Sequence, residues 1–319
     1  MEETENSRNQ ALPTLTVLVD ADDAGLHPWV RGHIPEPVRR AALEEELRFG
    51  LNTAAQDTEY AATYAKDAPQ SGQPMEAYLD RWVALGADGH VLAGPRYLGR
   101  DPDLPFVAVS AADRPLTPAD RGRLVTVARE SFGAFRPSFV LLTAADQIGA
   151  WPDTRPELRQ LVGLLGDLRR QESPTELSAT PRNDTAFYDR YRQIHDRDVA
   201  RNSAHARHTR CEARKDLQEL ADQDLLFDVQ VNGAWAGIIA AEPDARRGVR
   251  GATVIELLLD HQYRDLGYGQ HLSTLLAKAL RLPDEECLMG TVHADNVPAY
   301  RSALRAGRVD VGGEILIPL

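Results

Sequence analysis

Two spacings of apolar residues alternate along the chain, one near two residues and one near 3.6, and they mark strands and helices respectively. Residues 14–20 (TLTVLVD) are a short β-branched run and predict a strand. From 37 to 66 the stripe Val38, Ala41, Ala42, Leu43 and Leu47 predicts helix, and the turn formers of 68–74 (APQSGQP) end it. Strands are expected at 78–85 and 90–97, with Ala87-Asp88-Gly89 as their hairpin. Residues 105–110 (PFVAVS) predict a third strand. Thr117 and Pro118 then fit the cap and first turn of a helix that runs to about 132. Residues 138–143 (SFVLLT) predict another strand, and a helical segment is expected at 158–168.

The second half repeats that order. A short strand at 176–179 precedes a long polar helical region at 185–221. Strands at 225–231 and 235–241 flank Asn232-Gly233, the strongest short hairpin signal. A strand at 253–259, a helix at 267–280, a strand at 287–293, a helix at 298–306 and a strand at 313–318 complete the chain. Both halves therefore run β, helices, β-hairpin, β, α, β. This predicts an internal duplication, although no repeat is visible residue by residue. The expected organisation is a polar, disordered tail at 1–12, one domain at 13–150, a linker or helix at 151–174 and a second domain at 175–319.

Composition narrows the picture. A chain of 319 residues suits about two domains. Hydrophobic residues make up 43% and charged ones 26%, which excludes wholesale disorder and collagen-like structure. The 36 basic and 48 acidic side chains leave a net charge of −12, which argues against broad contact with a nucleic-acid backbone. No apolar run approaches the ~20 residues of a membrane helix, so no membrane partner is expected. Met1 to Glu5 are acidic and polar, unlike a secretory or transit signal. Cys211 and Cys287 are too few for a disulfide framework, and a cytoplasmic location is expected.

The stretch that carries chemistry is 257–280, LLLDHQYRDLGYGQHLSTLLAKAL. A hydrophobic strand ends, Arg264-Asp265-Leu266-Gly267-Tyr268-Gly269 follows, and an amphipathic helix begins at once. The first amides of a helix have no internal acceptor and attract anions. Gly267 and Gly269 would let a pyrophosphate approach the backbone, and Arg264 could add charge at the rim. The spacing Arg264-x-x-Gly267-x-Gly269 resembles the acyl-CoA pyrophosphate loop of the GNAT superfamily of N-acetyltransferases. Asn296-x-x-Ala299 and Gly307 resemble that family's second acyl-CoA segment, and the resemblance covers roughly 175–319.

The resemblance implies an α/β (α+β) fold of two GNAT-like mixed-sheet domains with a degenerate N-terminal copy. It implies that the backbone of Leu259 meets the pantetheine arm. The amides of Leu266, Gly267, Tyr268, Gly269 and Gln270 would cradle the pyrophosphate, and Asn296 would bond near the pantetheine or thiol. Glu256, three residues before Leu259, matches a frequent general base. Three positions depart from the family. Ala303 stands where a tyrosine acid is frequent, so Tyr300 is the substitute candidate. Arg308 replaces an aromatic residue, and His261 a proline. His293 is a further polar candidate near the cleft. By the same resemblance Tyr188, Tyr191, His195, Arg201 and Asn202 would border the acceptor pocket.

Two other signals carry less. His205-x-x-His208-x-x-Cys211 could align three ligands on a helix, but nothing completes the set, and no metal is expected. After the third strand of the first half comes SAADRPLT, which has no glycine, while Pro115 and Pro118 lack amide donors. No pyrophosphate cradle is expected there. The leading functional reading is transfer of acetyl, or another acyl group, from acyl-CoA to the amine of a small metabolite or amino-acid-like acceptor. The alternatives are a Fem-like transferase that uses aminoacyl-tRNA, and a CoA-binding protein without catalysis.

Overall fold

A computed structural model describes residues 12–145, 149–201 and 211–319. The tail expected at 1–12 falls outside this range except for Leu12, as do Asn202, His205 and His208. Four helices open the chain: α1 (Leu15–Gly25), α2 (Pro28–His33), α3 (Glu36–Phe49) and α4 (Thr58–Asp67). The strands β1 (Arg81–Ala84), β2 (His90–Tyr97) and β3 (Pro105–Ala112) follow, then α5 (Arg121–Phe132) and β4 (Phe139–Ala144). Next come β5 (Arg155–Leu164), α6 (Leu165–Arg169) and β6 (Leu177–Pro181). The second half continues with α7 (Tyr188–Arg201), α8 (Arg214–Asp222), β7 (Leu226–Val231), β8 (Ala234–Arg246) and β9 (Val249–Leu259). It ends with α9 (Leu272–Ala279), β10 (Cys287–His293), α10 (Val297–Arg305) and β11 (Val309–Pro318). No helix among the described residues is long and apolar enough to cross a membrane.

The described strands form one mixed sheet in the order β1-β2-β3-β4-β11-β5-β10-β9-β8-β7-β6. β11 lies between β4 and β5 and is antiparallel to both, while β5 pairs with β10. Each half thus places its last strand in the other half's part of the sheet. β5 overturns the helix expected at 158–168 as far as Leu164, and the rest of that stretch is α6. The apolar residues of β5 face both ways: Val162 packs with Val30 of α2 and Ile34 just after it, while Leu161, on the opposite face, is fully buried. A central strand covered on both faces loses the alternation that would reveal it. The strand expected at 14–20 is also corrected, because it is the start of α1. The Thr14 hydroxyl accepts from the amide of Val17, and Leu18 and Val19 bury against Leu47 and Leu92. Tertiary burial outweighs β-branched propensity there.

The duplication that the residues hide is visible in the strand registers. β3 and β4 are parallel only where Phe106, Val107 and Ala108 face Phe139, Val140 and Leu141. β9 and β10 are parallel only where Gly251, Ala252 and Thr253 face Cys287, Leu288 and Met289. Beyond those residues each pair splays apart. The antiparallel partner on the other side is bulged at the same distance in both halves. Ser110 is skipped between Val109 and Ala111 of β3, and Ile255 between Val254 and Glu256 of β9. By this register Ala111 occupies the place of Glu256.

The paired segment of β9 and β10 starts at a contact only glycine allows. Gly251 has φ +152°, and a Cβ there would lie 2.0 Å from the carbonyl oxygen of Cys287. Neither atom belongs to a flexible side chain, so one strand would have to move. Gly251→Ala is expected to cost about 3 kcal/mol, the upper end for overpacking, in urea unfolding. Wild-type stability in that variant would show that the two strands separate freely at this point.

Candidate active site

Beyond Thr253 the β10-facing edge of β9 has no strand partner among the described residues, because β10 turns to β5 through His293. The gap ends at the loop after β9. Asp260, 8% exposed, accepts two bonds from the Arg190 guanidinium, at 2.9 and 2.6 Å. Arg264 donates to the carbonyl of Leu259 at 2.8 Å and to both carboxylate oxygens of Asp198 at 2.7 and 2.9 Å. Its fork therefore fastens the loop to α7. Leu259 keeps one carbonyl lone pair for another donor.

Gly267 then takes φ +85° and ψ −2°, a left-handed conformation that favours glycine. Its missing Cβ would point into open space, with only Gln270 Nε2 near, at 4.0 Å. A 3-10 turn at Tyr268–His271 leads into α9. The amides of Leu266, Gly267, Tyr268 and Gly269 have no hydrogen-bond acceptor among the described residues. Four donors thus line one turn at the head of α9. Gly269 packs close to α10, where a Cβ would stand 3.4 Å from Ser302 Oγ. The side chain of Gln270 lies 3.3 Å from His271, and the Tyr268 hydroxyl meets Glu176 at 3.4 Å.

Glu256 sits in a closed shell of donors. Its Oε2 accepts from the Tyr191 hydroxyl at 2.8 Å and lies 3.2 Å from His195 Nε2. Among the described residues its Oε1 accepts only from the amide of Leu257, at 3.1 Å. A carboxylate accepts and never donates, so the His195 nitrogen facing it carries a proton. Tyr191 is fully buried and also accepts from the amide of Glu212, at 3.0 Å. Burial, and then the charge of Glu256, push the Tyr191 hydroxyl far above its ordinary value, so it stays a donor. Burial also raises the thiol of nearby Cys211. The stretch 185–221 pointed to Tyr191 and His195 only as pocket lining. Their four-residue spacing puts both on one face of α7, and that face meets Glu256.

Three remaining candidates have structural partners. Asn296 caps α10, its side-chain oxygen accepting from the amide of Ala299 at 3.3 Å. Tyr300 donates to Asp310 at 2.8 Å, and Asp310 is paired in turn with Arg159. Burial and that bond push the Tyr300 hydroxyl up to about 12. The structure brings Tyr300 to Asp310 and not to Glu256, which points towards α7. His293 accepts from the amide of Asp295 and lies 3.5 Å from Glu157. Arg308, 4% exposed, donates to the carbonyls of Leu161 and Gly290, so it ties β5 to β10. Cys211 meets the carbonyl of Glu212, and no metal-binding group of three ligands occurs among the described residues.

Beside α7 and the start of the loop is a hollow of about 520 Å³, lined by Arg190, Ile194, Arg197, Asp260 and His261. In the first half the equivalent loop is closed. The Arg114 fork holds Asp120 at 2.9 and 2.6 Å, and Asp120 also accepts from the amide of Thr117. An ion pair occupies the place where the second half has open amides.

No family model matches the chain, and no curated protein sequence matches it. Among solved structures it is similar to an acetyltransferase of the GNAT family from Colwellia psychrerythraea. The two share 9% identity at a TM-score of 0.46, over 72% of this chain and 85% of that one. It is similar to a GCN5-related N-acetyltransferase from Sphaerobacter thermophilus at 13% identity and a TM-score of 0.46, over 95% and 92%. It is also similar to a tandem GNAT protein from the clavulanic acid biosynthesis pathway at 14% identity and a TM-score of 0.41, over 83% and 96%. None of these likenesses bears on substrate or chemistry.

Tyr300→Phe removes one hydrogen bond to a carboxylate. It is expected to lower the unfolding free energy by about 1.5 kcal/mol in urea titration. An unchanged midpoint would show that Asp310 is satisfied without it.

Proposed function

We propose that the protein is an acyl-CoA-dependent N-acyltransferase that acts on the amine of a small acceptor, with acetyl-CoA the foremost donor. The observation that carries this reading is the splay of β9 from β10, closed at one end by the open amides of 266–269 and flanked by the carboxylate of Glu256. In this reading the pyrophosphate rests on those amides and on the head of α9, where the helix dipole adds to them. The pantetheine amides take the place of the missing strand against β9. Asn296, whose oxygen is engaged in the cap, keeps its amide nitrogen for the thiol end.

Transfer needs a neutral amine. Its nitrogen bonds to the thioester carbon, the carbon–sulfur bond breaks, and one amine proton goes to a base. Glu256 suits that role. Tyr191 and His195 hold Oε2, and Oε1 has capacity left for the proton. The acceptor enters from the α7 face, to which Glu256 points. The hollow beside Arg197 supports an acceptor that carries a carboxylate, as an amino-acid-like amine does.

Calorimetric titration with acetyl-CoA tests the donor site. Micromolar binding is expected, and Gly267→Glu, which adds a side chain and a negative charge to the cradle, is expected to abolish it. Absence of binding by the wild type would overturn the reading. Glu256→Gln is expected to keep acetyl-CoA affinity while lowering kcat about 10²–10⁴-fold in an amine screen read by thiol release. Full turnover in that variant would remove Glu256 as base. Binding without turnover by the wild type on any amine would favour a non-catalytic role.

A further inference from the structure

The splay between β3 and β4 is not empty of features. Beyond Ala108 and Leu141 the two strands part around a cavity of about 370 Å³, within the ~300–1,000 Å³ of small-molecule pockets. Val109 to Ala112 of β3 and Leu142 to Ala144 of β4 line it from the sheet. α1 and α3 cover it with Ala21, Leu43 and Leu47, and the turn between β8 and β9 adds Arg247. Its wall is therefore mostly aliphatic and comes from both halves of the chain.

Two polar side chains in this wall make no hydrogen bond to another described residue. Gln160 of β5 is one, and it is 3% exposed. Asp22 of α1 is the other; it is half-buried and feels only the charges of Glu46 and Arg247. A buried polar group without a hydrogen bond is costly, so Gln160 suits an occupant that satisfies it, and Asp22 can serve the same occupant. The charged groups around Asp22 decide which occupant. Glu46 of α3 stands at the rim, where it accepts from the backbone amide of Arg247 at 2.7 Å. The Arg247 guanidinium is used by Thr143, at 2.6 Å, and by Glu314, at 3.9 Å. Arg114 is committed to Asp120, and His27 to capping α2. The carboxyls Asp22, Glu46 and Glu314 outnumber the guanidiniums of Arg247 and Arg246 that act on them by three to two. The excess charge is negative and complements a cation.

We propose that this cavity is a second small-molecule site, distinct from the acyl-CoA loop, and that it takes a small amine with an apolar body. The ammonium group meets Asp22, with Glu46 at the rim. The body lies against the leucines of α3 and β4, and Gln160 bonds to a polar group or to water carried with the ligand. Acyl-CoA does not suit this splay, because the Arg114–Asp120 pair closes the loop that would hold its pyrophosphate.

Asp22 gives the site a signature. Burial in the cavity, and then the charge of Glu46, push its carboxyl up to about 7, against the opposing pull of Arg247. An arriving ammonium favours the ionised form, so binding at pH 7 releases roughly half a proton, and binding at pH 9 releases almost none.

The test is calorimetry with phenethylamine, using 3-phenylpropionate as the isosteric acid, in two buffers of different ionisation heat. The amine is expected to bind at least tenfold more tightly than the acid, with proton release at pH 7. Asp22→Asn is expected to weaken the amine at least tenfold. Gly267→Glu and Glu256→Gln are expected to leave it unchanged, which separates this site from the acyl-transfer site. Leu116→Trp, a loop substitution that fills the cavity, provides a second variant should Asp22→Asn fail to fold, and it is expected to abolish binding. No binding by the wild type would overturn the proposal. So would equal binding of the acid, or amine binding that survives Asp22→Asn or Leu116→Trp.

Discussion

A parallel strand pair that separates after three residues leaves backbone donors and acceptors facing a gap, and the rest of the structure is arranged around that constraint. Buried peptide groups need partners, and a lost partner costs about as much as a hydrogen bond. β9 is served on its other edge by β8, and β10 by β5, so neither strand can close the gap itself. The paired segment starts where Gly251 lets the strands approach too closely for any side chain, and the gap opens past Thr253. At its mouth Arg264 ties the carbonyl of Leu259 to Asp198 and so fixes where β9 ends. What the sheet lacks at this point a ligand with amide groups can supply.

The same constraint occurs twice and is met differently. In the second half the bulged strand carries Glu256, α7 supplies Tyr191 and His195, and the loop leaves its amides free. In the first half Ala111 replaces the carboxylate, and Arg114 and Asp120 fill the loop. Four helices cover that half, and its splay has become a cavity lined with aliphatic and acidic groups. The crossing of β5 and β11 joins the halves into one sheet, so neither half completes its part of the sheet without the other.

Much of the second half was legible in the sequence because its signals are local. The run 257–280 announces a strand, a glycine turn and a helix within one window, and Asn232-Gly233 fixes the hairpin before it. The place of Glu256 on the strand before the loop was legible, but its contacts with Tyr191 and His195 were not. Nor were other contacts between distant segments. Nothing near Arg264 in the chain points to Asp198, and nothing near Tyr300 points to Asp310 and Arg159. β5 imitates a helix because both its faces are buried, and α1 imitates a strand because its β-branched residues are packed from outside. The duplication was legible as element order but not as residues. It survives in the position of the bulge and the length of the parallel pairing, which constrain backbone rather than side chains.

In the proposed function the splay of β9 and its loop receive the CoA moiety while the splay of β3 does not. Amide hydrogen exchange with and without free CoA measures this directly, peptide by peptide. Slower exchange is expected at 254–259 and 266–270 when CoA is added, with 109–117 unchanged. Protection at 109–117, or none at 266–270, would contradict it.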